Sequence, residues 1–372
     1  MTQGKTKLRH VLGISGGKDS AALAIYMKLN YPLLDIEYYT SDTGKELDET
    51  YQLIDNLEIF LGKKILRLTG ANNSTELPFD HFIKMYGGYL PSSNARWCTK
   101  KLKLEPFENF VGNDAVVSYV GIRGDEDREG YISKKSNIQS IFPFRKNIWS
   151  EDVINKFLAN SNIAEAINIF NLLETNEKTE RIIEILNTKI SVTYNQQQKL
   201  NQLLDLGIKE FNTAIFQFIK STSYPLSAEE NFALVDNEEV LVRADIFKIL
   251  EESGVGVPAY YKEVEFEVNG KKSTYARSRS GCFFCFYQQK IEWVWLYEQH
   301  PELFTKAMEY EKDGYTWIQD ESLEELIKPD RIISIKEEYI KRSVNKKSKI
   351  KSPYLLDILS DAEEDGCASC FI

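Results

Sequence analysis

Residues 15–20 read Ser-Gly-Gly-Lys-Asp-Ser, directly after the apolar run Val11, Leu12, Gly13, Ile14 and directly before a helix-forming stretch over 21–29. A chain that passes from a buried strand through a tight glycine turn into a helix leaves the helix's free amides and positive dipole end available to an anion. Gly16 and Gly17 let the backbone approach phosphate closely, Lys18 supplies a mobile cation, and Ser15 and Ser20 offer hydroxyls. Asp19 is out of place beside phosphate unless a divalent cation or a basic neighbour offsets it, so the loop predicts magnesium, Mg2+, in the working site. The spacing differs from G-x-x-x-x-G-K-[ST] and excludes a Walker loop. The plainer alternative is a glycine turn with Lys18 and Asp19 solvated in the first helical turn.

Around this loop the first third of the chain alternates strand signals over 11–14, 33–39, 64–68 and 115–122 with helix signals over 18–29, 46–61 and 100–110. Strands separated by helices predict an α/β fold with a doubly wound parallel sheet, whose ligands sit beyond the carboxyl ends of the strands. That rule gathers three loops, 15–20, 41–45 and 121–128. The second holds Asp42, Thr43 and Gly44, which also suit an ordinary strand end and helix cap. In the third, Arg123 and Arg128 fit forked pairing with phosphate, the alternative being a surface ion-pair cluster with Asp125, Asp127 and Glu129.

Beyond residue 150 the texture changes. The stretch 160–221 has one glycine, Gly207, and no proline, and reads as amphipathic helices. Three regions are expected: a nucleotide-binding domain over 1–150, a helical insertion over 151–250 that serves as scaffold, and a C-terminal region over 251–372 with a cysteine cluster and a mobile tail. No run approaches twenty apolar residues and the first residues lack a signal-peptide core, so the expectation is a cytoplasmic protein with no membrane partner. A net charge of -10 argues against a surface that coats nucleic acid, although 336–351 carries a basic run that also fits a solvated helix face. Three scattered histidines, His10, His81 and His300, make histidine-based zinc hydrolysis an unlikely chemistry to expect.

Four of the five cysteines form C-x-x-C pairs, Cys282 with Cys285 and Cys367 with Cys370, while Cys98 stands alone. Such pairs chelate zinc, hold an iron-sulfur cluster or cycle as a dithiol. A static disulfide is the least expected state in a cytosolic setting.

The hexapeptide at 15–20 resembles the PP-loop of the ATP pyrophosphatases. That superfamily binds ATP on a Rossmann-like sheet, the adenine nucleotide alpha hydrolase fold, and cleaves between the α and β phosphates. Asp42-Thr43-Gly44 resembles the segment that PP-loop sulfur enzymes place beside the nucleotide, and the Arg123 loop resembles the Gly-x-Arg loop of sulfate-nucleotide enzymes. Arg96-Trp97-Cys98-Thr99 with Lys100, Lys101, Lys103 and Pro106, and then Trp149, Asp152 and Val153, resemble the phosphoadenosine phosphosulfate (PAPS) reductase and DndC-like branch. In adenylyl-sulfate (APS) reductases two adjacent cysteines and a downstream C-x-x-C bind a 4Fe-4S cluster; here Trp97 stands in place of the first.

The resemblance implies ATP with magnesium bound by Ser15, Gly16, Gly17, Lys18, Asp19, Ser20, Asp42, Thr43, Gly44, Arg123 and Arg128. It implies a 4Fe-4S cluster on Cys98, Cys282, Cys285 and Cys367, with zinc as the alternative, and Lys18, Asp19, Arg123 and Cys370 as catalytic groups. Because the hexapeptide is intact, as in ATP-cleaving members, the implied reaction is adenylation of an acceptor oxygen followed by sulfur replacing AMP. The implied partners are a sulfur donor such as a cysteine desulfurase and, with partner subunits, DNA for phosphorothioation. The alternatives are an APS or PAPS reductase that forms sulfite and a nucleotide-sensing or redox-sensing binding protein.

Overall fold

The apolar runs of the first third form five strands, β1 (Arg9–Gly13), β2 (Ile36–Ser41), β3 (Ile65–Leu68), β4 (Val116–Tyr119) and β5 (Ile138–Ile141). They pair in parallel in the order β3-β2-β1-β4-β5 in the computed structural model, which describes residues 8–126, 133, 135–173, 178–312, 314–319 and 321–348. Leu12 of β1 lies opposite Tyr38 on one side and Tyr119 on the other, so β1 is central and its Val11 and Leu12 are fully buried. Between strands run α1 (Lys18–Asn30), α2 (Asp48–Leu61), α3 (Pro78–Met85), α4 (Trp97–Thr99) and α5 (Glu105–Val111). Residues 21–27 of α1 are apolar on every face and all are buried, as expected of a helix enclosed on all sides. The predicted α/β doubly wound sheet is therefore the observed fold.

Several local expectations differ in detail. The chain at 31–34 turns, with the Leu34 amide donating to the Tyr31 carbonyl, so β2 begins at Ile36 rather than at 33. The helix expected over 100–110 starts at Trp97 and widens into a π-helical turn at Lys100–Leu104. Pro106 has no N–H to donate to the Leu102 carbonyl, which frees that turn to widen. Strand β5 escapes the sequence pattern because its centre is Gln139 and Ser140; both are buried, and Gln139 Oε1 accepts the Leu226 amide at 3.0 Å.

The following stretch folds into α6 (Glu151–Phe157), α7 (Ile163–Leu172), α8 (Thr179–Asn187), α9 (Gln196–Leu206), α10 (Ile208–Ile219) and α11 (Arg243–Glu252). These helices share one hydrophobic core with the sheet, in which Phe211, Ile215 and Ile246 join Leu12 and Ile25. Lys199 is fully buried, yet its ammonium donates to the Leu186 and Thr188 carbonyls at 2.8 and 2.9 Å and so caps the negative end of α8.

A second core joins Phe79 and Trp97 to Tyr260, Phe284, Trp293 and Trp317. It is built from a hairpin, β6 (Val264–Val268) and β7 (Lys271–Tyr275), and from α12 (Lys290–Gln299), α13 (Pro301–Met308), α14 (Leu323–Leu326) and α15 (Pro329–Ser348). The hairpin turns at Asn269 and Gly270, both at positive φ, as a two-residue loop with matched twist requires. The helical run of α12 and α13 breaks at His300, because Pro301 starts a new helix. Among the described residues no helix is long and apolar enough to cross a membrane.

Candidate functional site

The strand order reverses beside β1, and the three predicted loops meet at the carboxyl end of the sheet. Gly17 is the N-cap of α1, and the turn that precedes it is held by its own hydroxyls. The Ser15 amide donates to Ser20 Oγ at 3.1 Å, the Gly17 amide to Ser15 Oγ at 3.3 Å, and Ser20 Oγ to the Gly17 carbonyl at 3.1 Å. Gly16 has φ +73°, and a Cβ there would lie 2.2 Å from Thr50 Cγ2.

Charge in this loop is arranged around Asp19. Its Oδ1 accepts from Arg123 Nη1 at 2.7 Å and its Oδ2 lies 3.1 Å from Lys18 Nζ, with all three side chains buried. Arg123 also reaches Asp125 through Nε at 2.8 Å and Glu126 through Nη1 at 2.9 Å. Two basic neighbours thus offset the charge of the Asp19 carboxylate. Burial lowers the Lys18 pKa; Asp19 opposes that shift, and repulsion from Arg123 and Arg243 adds to it. Arg128, the other arginine expected here, lies outside the described residues.

The second loop faces the first across a cleft of about 430 Å³, open mouth included, lined by Ser15, Ser41, Asp42, Glu46, Tyr51, Arg67 and Lys103 among others. Asp42 Oδ1 accepts from the Gly44 amide at 2.8 Å and from the Tyr51 hydroxyl at 3.0 Å. Thr43 Oγ1 donates to Glu46 Oε1 at 2.6 Å, and the Tyr51 hydroxyl and Lys45 amide approach Oε2 at 3.0 and 3.1 Å.

Burial pushes the Glu46 carboxyl above its ordinary 4.5, against the hydrogen bond from Thr43 and with the Asp42 charge reinforcing the rise. The unfolded chain releases this proton near 4.5 while the folded chain keeps it. The stability tied to Glu46 is therefore fully present below that pH and is lost as pH rises through the elevated folded value. Glu46→Gln is expected to flatten the decline of stability above pH 4.5 in urea titrations at stepped pH; an unchanged slope would remove Glu46 as its source.

The C-terminal region closes over the loop at several points that sequence reasoning left without a role. The Tyr260 hydroxyl donates to the Gly16 carbonyl at 2.8 Å, and the Tyr261 hydroxyl accepts the Lys18 amide at 3.4 Å. Lys18 Nζ sits 4.9 Å from the centre of the Tyr261 ring, and Ser280 Oγ donates to the Ser15 carbonyl at 3.3 Å. The legible signal was the pair of tyrosines after Pro258 and the Ser280-Gly281 step before the cysteines.

The C-x-x-C turn is stitched to the second loop. The Phe283 amide donates to the Lys45 carbonyl at 2.9 Å, and Cys282 Sγ lies 3.2 Å from Thr43 Oγ1. Cys98 and Cys285 interact electrostatically, as do Cys285 and Cys282, and Lys103 bears on all three thiols. Burial, with Cys285 adding to it, pushes the Cys98 thiol up to about 11, and burial raises Cys282 and Cys285 as well. Among the described residues, no three His, Cys, Asp or Glu side chains are grouped as ligands of a metal ion. The three thiols as placed, with Cys282 turned to Thr43, do not make a metal-ligand set. Cys367 and Cys370, the expected further ligand and catalytic thiol, lie outside the described residues. Arg277 is buried beside this turn; its Nη2 donates to the Cys282 carbonyl at 3.1 Å, whereas Nε and Nη1 have no acceptor among the described residues.

The segment that carries the glycine loop and the parallel-sheet switch point is similar to a known domain. Residues 9–166 match the model of the phosphoadenosine phosphosulfate reductase domain. At the level of that family the similarity is to a nucleotide-using domain of sulfur chemistry. The chain is also 35% identical over 162 residues to the uncharacterized protein MJ0066 of Methanocaldococcus jannaschii, covering 40% of this chain and 32% of the relative. It is 26% identical over 158 residues to the uncharacterized protein MJ0973 of the same organism, covering 39% of this chain and 36% of that relative. Each match spans about a third of the relative's length. The reductase-like match covers the sheet, the loop at 15–20 and the Arg123 loop, and ends within α7.

Proposed function

We propose that the protein binds ATP with its magnesium ion as substrate at the loop 15–20, and activates an acceptor oxygen for sulfur transfer. The carrying observation is the intact glycine loop at the start of α1, where Lys18 and Arg123 converge on the Asp19 carboxylate. The acceptor oxygen attacks the α phosphorus, the bond from that phosphorus to the oxygen bridging the β phosphorus breaks, and pyrophosphate leaves. A sulfur nucleophile supplied by a donor such as a cysteine desulfurase then displaces AMP. Lys18, Arg123 and the helix amides are suited to stabilising the charge that develops on the phosphoryl oxygens.

The finer reading makes the acceptor a DNA phosphate, as in DndC-type phosphorothioation with partner subunits. An iron-sulfur cluster on the cysteines belongs to that same reading; because the described thiols do not form a ligand set, no step above passes through one. The match to the PAPS reductase domain favours a second reading, reduction of APS or PAPS to sulfite.

Pyrophosphate release from labelled ATP, with sulfide as donor and DNA as acceptor, set against sulfite formation from APS or PAPS, separates the two readings. The expected outcome is ATP-dependent pyrophosphate release that Lys18→Ala lowers roughly 100-fold or more. Sulfite formation from APS without ATP would replace this reading with the reductase.

A further inference from the structure

The helical stretch beyond the matched domain brings one cation to the phosphate loop that the reaction above does not use. Arg243 is the first residue of α11 and is exposed. Its position is pinned to the Arg123 loop. The Gly124 amide donates to the Leu241 carbonyl at 3.0 Å, the Leu241 amide donates to the Phe144 carbonyl at 3.1 Å, and the Arg243 amide reaches Asp125 Oδ2 at 3.4 Å. Close contact enforces the join, because a Cβ on Gly124 would lie 2.3 Å from Val240 Cγ1.

The guanidinium lies 5.7 Å from the centre of the Phe247 ring, Phe247 meets Tyr261 edge-on at 6.2 Å, and Tyr261 carries Lys18 on its own face. Two aromatic rings thus form a rail with a cation at each end. Arg243 is close enough to Lys18 to repel it. Lys18 and Arg123 share the Asp19 carboxylate, and Arg123 also takes Asp125 and Glu126, but the Arg243 side chain makes no ion pair or hydrogen bond among the described residues. Like charges held together without a shared counter-ion are unfavourable until an anion enters between them, and a forked guanidinium suits a phosphate group.

We propose that Arg243 is a phosphate-binding residue that clamps the outer phosphates of the nucleotide on the loop 15–20. The inference rests on the nucleotide reading above and gives α11 a substrate-contacting role. Arg243 and Lys18 sit at the two ends of the Phe247–Tyr261 rail, so the clamp assigns Arg243 to the β and γ phosphates and leaves the nucleoside end to the cleft.

The test measures ATP and AMP binding by calorimetry for the full chain and for Arg243→Ala, Arg243→Lys and Phe247→Ala. Arg243→Ala leaves the buried anchors Ile246 and Leu250 of α11 in place, and its thermal melt is compared with the parent. The expected result is an ATP dissociation constant raised about tenfold or more in Arg243→Ala, less in Arg243→Lys, with AMP binding changed by under about twofold. ATP binding unchanged in Arg243→Ala, or ATP and AMP weakened equally, would overturn the clamp while leaving the nucleotide reading intact. Failure of the parent chain to bind ATP would overturn the nucleotide reading itself and the clamp with it.

Discussion

Arg123→Ala is expected to destabilise the protein by about 3–5 kcal/mol, the usual cost of leaving a buried charge without its partner. The guanidinium holds Asp19, Asp125 and Glu126 together, and its removal leaves three carboxylates facing one another with Lys18 as the remaining cation on Asp19. Asp19 cannot turn to solvent, because Arg123, Asp19 and Lys18 are all less than a tenth exposed. Urea unfolding gives the measurement. Asp19→Asn combined with Arg123→Ala should recover no more than part of the loss, since it relieves the repulsion among the carboxylates but leaves the buried Lys18 without its carboxylate partner. A loss below about 1 kcal/mol for Arg123→Ala would mean that the network contributes little beyond a surface ion pair. ATP binding should fall in both single variants, since Lys18 loses its fixed position when either member of the network is gone.

Gly16→Ala is the second large effect, and it separates loop geometry from global stability. The residue sits at φ +73°, and the added Cβ would approach Thr50 Cγ2 to 2.2 Å, well inside contact distance. The Gly16 carbonyl is also the acceptor for Tyr260, so a shift of the turn breaks the tie to the C-terminal region. The expected cost in stability is about 1–3 kcal/mol, and ATP binding should drop roughly 100-fold because the amides no longer converge on the phosphates. Thr50→Ser removes the offending methyl while keeping the hydroxyl. Combined with Gly16→Ala, it should restore part of the stability through relief of the clash, but not all, because the positive φ still penalises alanine. Full recovery of ATP binding in the double variant would show that the steric contact alone set the requirement for glycine. Calorimetric binding and thermal melts on the four proteins decide it.

The elements readable in the sequence were those whose signal is local. The apolar run over 11–14, a glycine turn and a following helix announce β1 and α1 without reference to the rest of the chain, and the same holds for β2, α2 and β4. Strand β5 was illegible because a polar pair, Gln139 and Ser140, occupies its centre, and Gln139 Oε1 finds its donor, the Leu226 amide, only when Pro225–Ala228 folds beside the strand. The break at His300 was legible in principle, since Pro301 rarely lies inside a helix. The basic neighbours of Asp19 were half legible: Lys18 is adjacent in sequence, whereas Arg123 is 104 residues away.

By itself, the sequence determined a parallel α/β sheet with a glycine turn at its carboxyl edge, because strand period, helix period and glycine placement are properties of neighbouring residues. Only the tertiary structure decided what surrounds that turn. Asp19 is offset by arginine, Tyr260, Tyr261 and Ser280 close over the loop, Cys282 is turned to Thr43, and Arg243 arrives from a helix beyond the matched domain. Each depends on which distant segments the two cores pull together, and burial then forces their polar groups to find partners across the chain.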